Sequence, residues 1–137
     1  MNVQQPRESA SIGCREGHNR CPAISIVIPT KNRRVDLLET LQAIVGQRRA
    51  PEEVIIIDQS AQSAAADVEH VMAARPEILL KYCWAPDIPG LGAARNRGIA
   101  EARNEVVFFV DDDITLSADC IDNLAARYAA RPEVAGI

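Results

Sequence analysis

The stretch EVVFFVDDD, residues 105–113, sets five consecutive apolar residues directly before three carboxylates. An unbroken run of β-branched and aromatic residues predicts a strand buried on both faces, the pattern of a parallel sheet. In an extended segment alternate residues face one side, so Asp111 and Asp113 are expected to project together, about 6–7 Å apart. At an effective dielectric of 20 their repulsion would cost about 2–3 kcal/mol. A divalent cation would remove that cost, and Mg²⁺ or Mn²⁺ takes carboxylate oxygens and bridges them to phosphate. The competing reading is a solvated acidic turn favouring the next helix start. Placement directly after a buried strand favours the metal.

Outward from this stretch the chain alternates. ISIVI at 24–28 and VIII at 54–57 are further buried-strand runs, and Ile78–Trp84 reads as another. Between them, Leu37, Leu38, Leu41, Ile44 and Val45 fall at helical spacing within 33–45, and Val68, Val71 and Met72 do so within 63–75. A helix is expected over 91–103. Another should run to Ala130, with Ser117 as its N-cap and Cys120, Ile121, Leu124 and Tyr128 on its apolar face. Residues 134–137 suggest a further strand. This β-α-β-α-β-α-β-α-β order predicts an α/β fold: an open, mostly parallel sheet with helices on both faces. Residues 1–22 are polar and aperiodic, and read as a disordered or loosely packed leader to one domain over 23–137.

Composition narrows the function. A net charge of -4 argues against nucleic acid as partner, and Arg33-Arg34 and Arg48-Arg49 read as solvated surface. No apolar run reaches the roughly 18 residues of a membrane span, and no signal peptide is evident, so a cytoplasmic protein is expected. The four cysteines are then expected to be free thiols. Cys14, His18 and Cys21 lack a CxxC pair and make a poor zinc signature.

In open sheets, ligands bind beyond the carboxyl ends of the strands. Three such ends are chemically unusual here: Pro29-Thr30-Lys31-Asn32, Asp58-Gln59-Ser60 and Asp111-Asp112-Asp113. An Asp58 carboxylate can accept a hydrogen bond from a nucleobase imide, with backbone groups near Pro29 meeting its other edge. Gly90-Leu91-Gly92-Ala93-Ala94-Arg95-Asn96-Arg97-Gly98 brings glycines to a helix entrance, where anions are favoured, and Arg95 adds a donor fork suited to phosphate. A dinucleotide GxGxxG fingerprint would need glycine where Arg95 stands, and would normally follow the first strand.

Taken in order, Ile24–Asn32, Val54–Ser60, Gly92–Gly98 and Phe108–Asp113 resemble family 2 glycosyltransferases, over about residues 23–137. The resemblance implies a GT-A fold, Rossmann-like, that binds a nucleoside-diphosphate sugar with Mn²⁺ or Mg²⁺ for transfer to an acceptor hydroxyl. It implies that Pro29, Thr30 and Asp58 surround the nucleobase and ribose, and that Arg95 lies near the base or diphosphate. The Asp111–Asp113 segment would be the family's DxD element, with Asp111 and Asp112 on the nucleotide sugar and Asp111 and Asp113 on the metal. The family often carries two acids where Asp58-Gln59 stands. Its general base would fall beyond Ile137, which would make the chain an incomplete fragment and leaves membrane association of a full-length form open. Two alternatives stay open: a nucleotidyltransferase-like enzyme, though no glycine-rich loop follows the first strand, and a non-catalytic nucleotide-binding remnant.

Overall fold

The computed structural model describes residues 20–136. Four strands, β1 (Ile24–Thr30), β2 (Glu53–Asp58), β3 (Leu79–Trp84) and β4 (Val106–Phe109), alternate with four helices. The helices are α1 (Arg34–Val45), α2 (Ala65–Met72), α3 (Gly90–Glu101) and α4 (Cys120–Ala130). The strands form one parallel sheet in the order β3-β2-β1-β4. After β3 the chain crosses back to the far side of β1, so the direction of sheet growth reverses between β1 and β4. That reversal opens a crevice at the carboxyl ends of these two strands.

The alternating side chains of β1 and β2 divide the core. Ile24, Ile26, Ile28, Val54 and Ile56 pack with Leu37, Leu41 and Ile44 of α1, Val68 and Met72 of α2, and Ile121 and Ala125 of α4. Val27, Ile55 and Ile57 face the other way, onto Ala94 of α3. Helices thus cover both faces, as the sequence pattern predicts. Gly98 permits α3 its close approach: a Cβ built there would lie 2.2 Å from Val27 Cγ1.

The sequence gives no hint that β2 begins on a buried carboxylate. Glu53 is 1% exposed. Its Oε1 accepts from Ser25 Oγ (2.9 Å) and Arg103 N (3.0 Å), and its Oε2 pairs with Lys81 Nζ at 3.0 Å. Lys81 also donates to the Glu101 carbonyl, so this network ties the end of α3 to the sheet. Burial opposes the charged form of Glu53, but the Arg103 amide, Lys81 and Ser25 together hold its carboxyl below the ordinary glutamate range. A depressed folded-state value gives stability that is present above the unfolded-state pKa and lost as pH falls through the folded one. Urea unfolding between pH 7 and 3 is therefore expected to show a steeper acid loss in the native protein than in Glu53→Gln.

Two local expectations are corrected. Ser117 does not cap α4, which starts at Cys120 after Asp119. The Ile121 amide is satisfied instead by Gln47 Oε1 at 3.1 Å, and Ser117 contributes its carbonyl, which accepts from Gln47 Nε2 at 2.7 Å. A buried glutamine 74 residues away thus does the capping. Residues 134–136 form no strand, and 137 lies outside the described residues.

The leader expected over 1–22, with Cys14 and His18, falls mostly outside them too. Cys21 packs against the core. Cys83 and Cys120 are free thiols. Among the described residues no helix is long and apolar enough to cross a membrane.

Candidate functional site

A cleft of about 410 Å³ opens at the reversal point, lined by Pro29, Thr30, Lys31, Arg33, Gln59, Gly90, Leu91, Arg95 and Asp111–Asp113. Residues from the ends of β1, β2 and β4 and from the start of α3 therefore meet on one rim. Asp58 lies in an adjoining cleft of about 310 Å³, which shares Thr30 and is also bordered by Asn32, Ser60 and Gln62. The structure thus groups Pro29, Thr30, Arg95, Asp111, Asp112 and Asp113, with Asp58 one strand away.

The three acids are not equivalent. Asp112 is buried, with its Oδ2 accepting from Thr30 Oγ1 at 2.8 Å and its carbonyl accepting from Thr40 Oγ1 at 2.9 Å. Burial pushes its carboxyl above the usual range and the like charges of Asp113 and Asp36 add to this, while the Thr30 hydroxyl and Arg33 pull it back. With the middle side chain anchored inward, its neighbours turn out: the Asp111 and Asp113 side chains are 59% and 52% exposed. Arg33 Nη1 lies 3.1 Å from Asp113 Oδ2 and 3.6 Å from Asp112 Oδ1, and Arg95 Nη2 lies 3.4 Å from Asp111 Oδ1. Arg95 also sits over the Phe109 ring, 5.9 Å from its centroid, and its Nε is buried without a hydrogen-bond partner.

Asp58 is buried at the end of β2. Its Oδ2 accepts from the Tyr82 hydroxyl and its Oδ1 from Ser60 N at 2.9 Å. Burial and the neighbouring carboxylate raise the Tyr82 phenol above its usual range, which keeps it a donor. Asn32, with φ +55°, bends the chain after β1 in the left-handed conformation that asparagine tolerates. Its side chain accepts from Ala61 N at 3.2 Å and its amide donates to Ser60 Oγ at 2.7 Å, which joins the β1 and β2 ends.

Sequence reasoning gave no individual role to three contributors. Arg33, read as solvated surface, is paired with the acidic triplet. Lys31 lines the cleft. Gln59, read as a departure from a pair of acids, donates through Nε2 to the carbonyls of Ile88 (2.7 Å) and Gly90 (2.9 Å) and pins the loop that starts α3. Both partners are acceptors, so an aspartate there would meet them with no donor. Only the polar character of position 59 signalled this.

The arrangement suits an anion accompanied by a hard cation. The starts of α1 and α3 reach the cleft lining at Arg33 and Gly90, and neither has a side-chain cap; a helix start of this kind favours an anion. Asp111 and Asp113 offer the oxygen donors that Mg²⁺ or Mn²⁺ prefers. Among the described residues no group of three or more metal-ligating side chains converges. A cation here would complete its shell from phosphate oxygens and water.

The chain resembles known proteins in sequence and in fold. Residues 25–137 match the family described as Glycosyl transferase family 2. The uncharacterized glycosyltransferase YwdF of Bacillus subtilis is 35% identical over 102 residues, 74% of this chain and 37% of that protein. A validoxylamine A glucosyltransferase of Streptomyces hygroscopicus is 30% identical over 111 residues, 79% of this chain and 24% of that protein. The chain thus spans 24–37% of these relatives' lengths. Among solved structures, the mannosyltransferase PcManGT of Pyrobaculum calidifontis, in complex with GDP-Man and Mn²⁺, superposes with a TM-score of 0.71 at 23% identity, over 80% of this chain and 33% of that one. TarS of S. aureus in complex with UDP-GlcNAc gives 0.67 at 21%, over 80% and 32%. The parallel sheet with its crevice is therefore a GT-A, Rossmann-like fold, and the chain belongs to glycosyl transferase family 2.

Proposed function

We propose that this chain forms the donor-binding part of a glycosyltransferase, holding a nucleoside-diphosphate sugar whose diphosphate is bridged by Mn²⁺ or Mg²⁺ to Asp111 and Asp113. The observation that carries the reading is the splitting of the acidic triplet, with Asp112 anchored inward on Thr30 and two carboxylates exposed on a cleft bounded by two uncapped helix starts. Pro29, Thr30 and Asp58 would border the base and ribose. Arg95, its Nε unpaired, would serve the base or diphosphate. When bound, the cation neutralises charge on the departing diphosphate. The family supports sugar transfer over a nucleotidyltransferase reaction.

Titration calorimetry with UDP- and GDP-sugars tests the donor site directly. Binding of one of them is expected in Mn²⁺ and is expected to fall at least about tenfold when a chelator removes the metal. Equal affinity in both conditions would rule out the bridged diphosphate.

A further inference from the structure

The cation site assigned to Asp111 and Asp113 shares its oxygens with two guanidinium groups. Arg33 Nη1 lies on Asp113 Oδ2 (3.1 Å) and near Asp112 Oδ1 (3.6 Å), and Arg95 Nη2 lies near Asp111 Oδ1 (3.4 Å). A divalent cation seated on these carboxylate oxygens takes part of their lone-pair capacity and repels the guanidinium beside it, so cation and arginines compete. The two arginines differ in freedom. The Arg95 side chain, 40% exposed, lies over the Phe109 ring with its Nε buried, whereas the Arg33 side chain is 54% exposed and touches no ring among the described residues. Arg33 also precedes the first residue of α1, on the cleft wall where the helix dipole favours an anion. A guanidinium released there faces the space where a diphosphate would lie, and its planar fork fits two phosphate oxygens.

We propose that Arg33 is an exchange ligand: it neutralises Asp113 until a divalent cation takes that carboxylate, then turns onto the diphosphate. This rests on the donor-site reading above and adds to it a residue that links metal and nucleotide binding. Arg33 carries its charge from the acid to the phosphate, so the cleft gains a phosphate donor only once the cation is seated. Metal and nucleotide binding then become cooperative through a side chain of the protein as well as through the metal–phosphate bond.

The exchange makes the two affinities of Arg33→Ala move in opposite directions. Mn²⁺ alone, followed by the paramagnetic resonance signal of the free ion, is expected to bind about two- to fivefold tighter, because an exposed competing ion pair has been removed. UDP or GDP, whichever the native protein binds, is expected to bind about tenfold more weakly at saturating Mn²⁺, because a charge-assisted phosphate contact is lost. Arg33→Lys, which keeps the charge without the fork, should fall between the two in both measurements. If Arg33 only props the loop, both affinities weaken together; if it is a bystander, neither moves. Either result, with the native protein binding nucleotide normally, overturns the exchange and leaves the donor site standing. A native protein that binds neither UDP nor GDP overturns both.

Discussion

Asp113→Ala is expected to abolish detectable metal-dependent nucleotide binding while leaving the fold intact. Direct loss of one of two protein ligands should cost more than the roughly 10- to 100-fold that disturbing an outer-shell partner costs. Stability should hardly change, since Asp113 is half-exposed and its partner in the structure is the exposed Arg33. Exposed pairs of this kind contribute about 0–1 kcal/mol. Asp112→Ala provides the contrast. It strips the Thr30 hydroxyl of its acceptor inside the protein, which should lower unfolding stability by about 1–3 kcal/mol. Calorimetry for binding and urea melts for stability separate the two. Full-strength Mn²⁺-dependent binding by Asp113→Ala would falsify the assignment of the metal ligand.

The second large effect lies away from the cleft. Gly98→Ala should destabilise the protein although alanine is the better helix former by about 1 kcal/mol. The new methyl would sit 2.2 Å from Val27 Cγ1, with Cγ2 and Cβ at 3.2 and 3.3 Å, and Val27 is fully buried in the central strand β1. Neither the strand nor the helix can yield without opening the core, so overpacking of about 1–3 kcal/mol outweighs the propensity gain. Gly98→Val should be worse. Pairing Gly98→Ala with Val27→Ala restores room and should recover part of the loss, giving a coupling in a double-mutant cycle of about 0.5–3 kcal/mol. Additive single effects would show that the contact is relieved by other means.

These positions also mark what the sequence could disclose. The strands and amphipathic helices were legible because burial on two faces, or on one stripe, writes a period into the chain. The runs at 24–28 and 54–57 and the triplet after Val110 were sufficient to place the crevice. What depended on a distant partner was not legible. Gly98 reads as a weak helix residue until Val27 is set beneath it. Gln47 reads as an ordinary polar residue following a helix until α4 arrives and uses its amide. Glu53 reads as the turn before a strand, since nothing local announces Lys81 and Ser25. Asp112 was grouped with its neighbours because its partners, the Thr30 hydroxyl on its carboxylate and the Thr40 hydroxyl on its carbonyl, lie more than 70 residues earlier.

Gln59 carries the last consequence. Its amide grips the Ile88 and Gly90 carbonyls, Asn32 grips residue 61, and Thr30 grips Asp112, so every wall of the cleft is latched to another wall. A ligand entering such a site meets a preorganised receptor. The entropy of ordering three loops has already been surrendered during folding, so association need not supply it again. Loosening Gln59 alone should therefore slow capture of the ligand, even though no atom of that side chain need ever touch it.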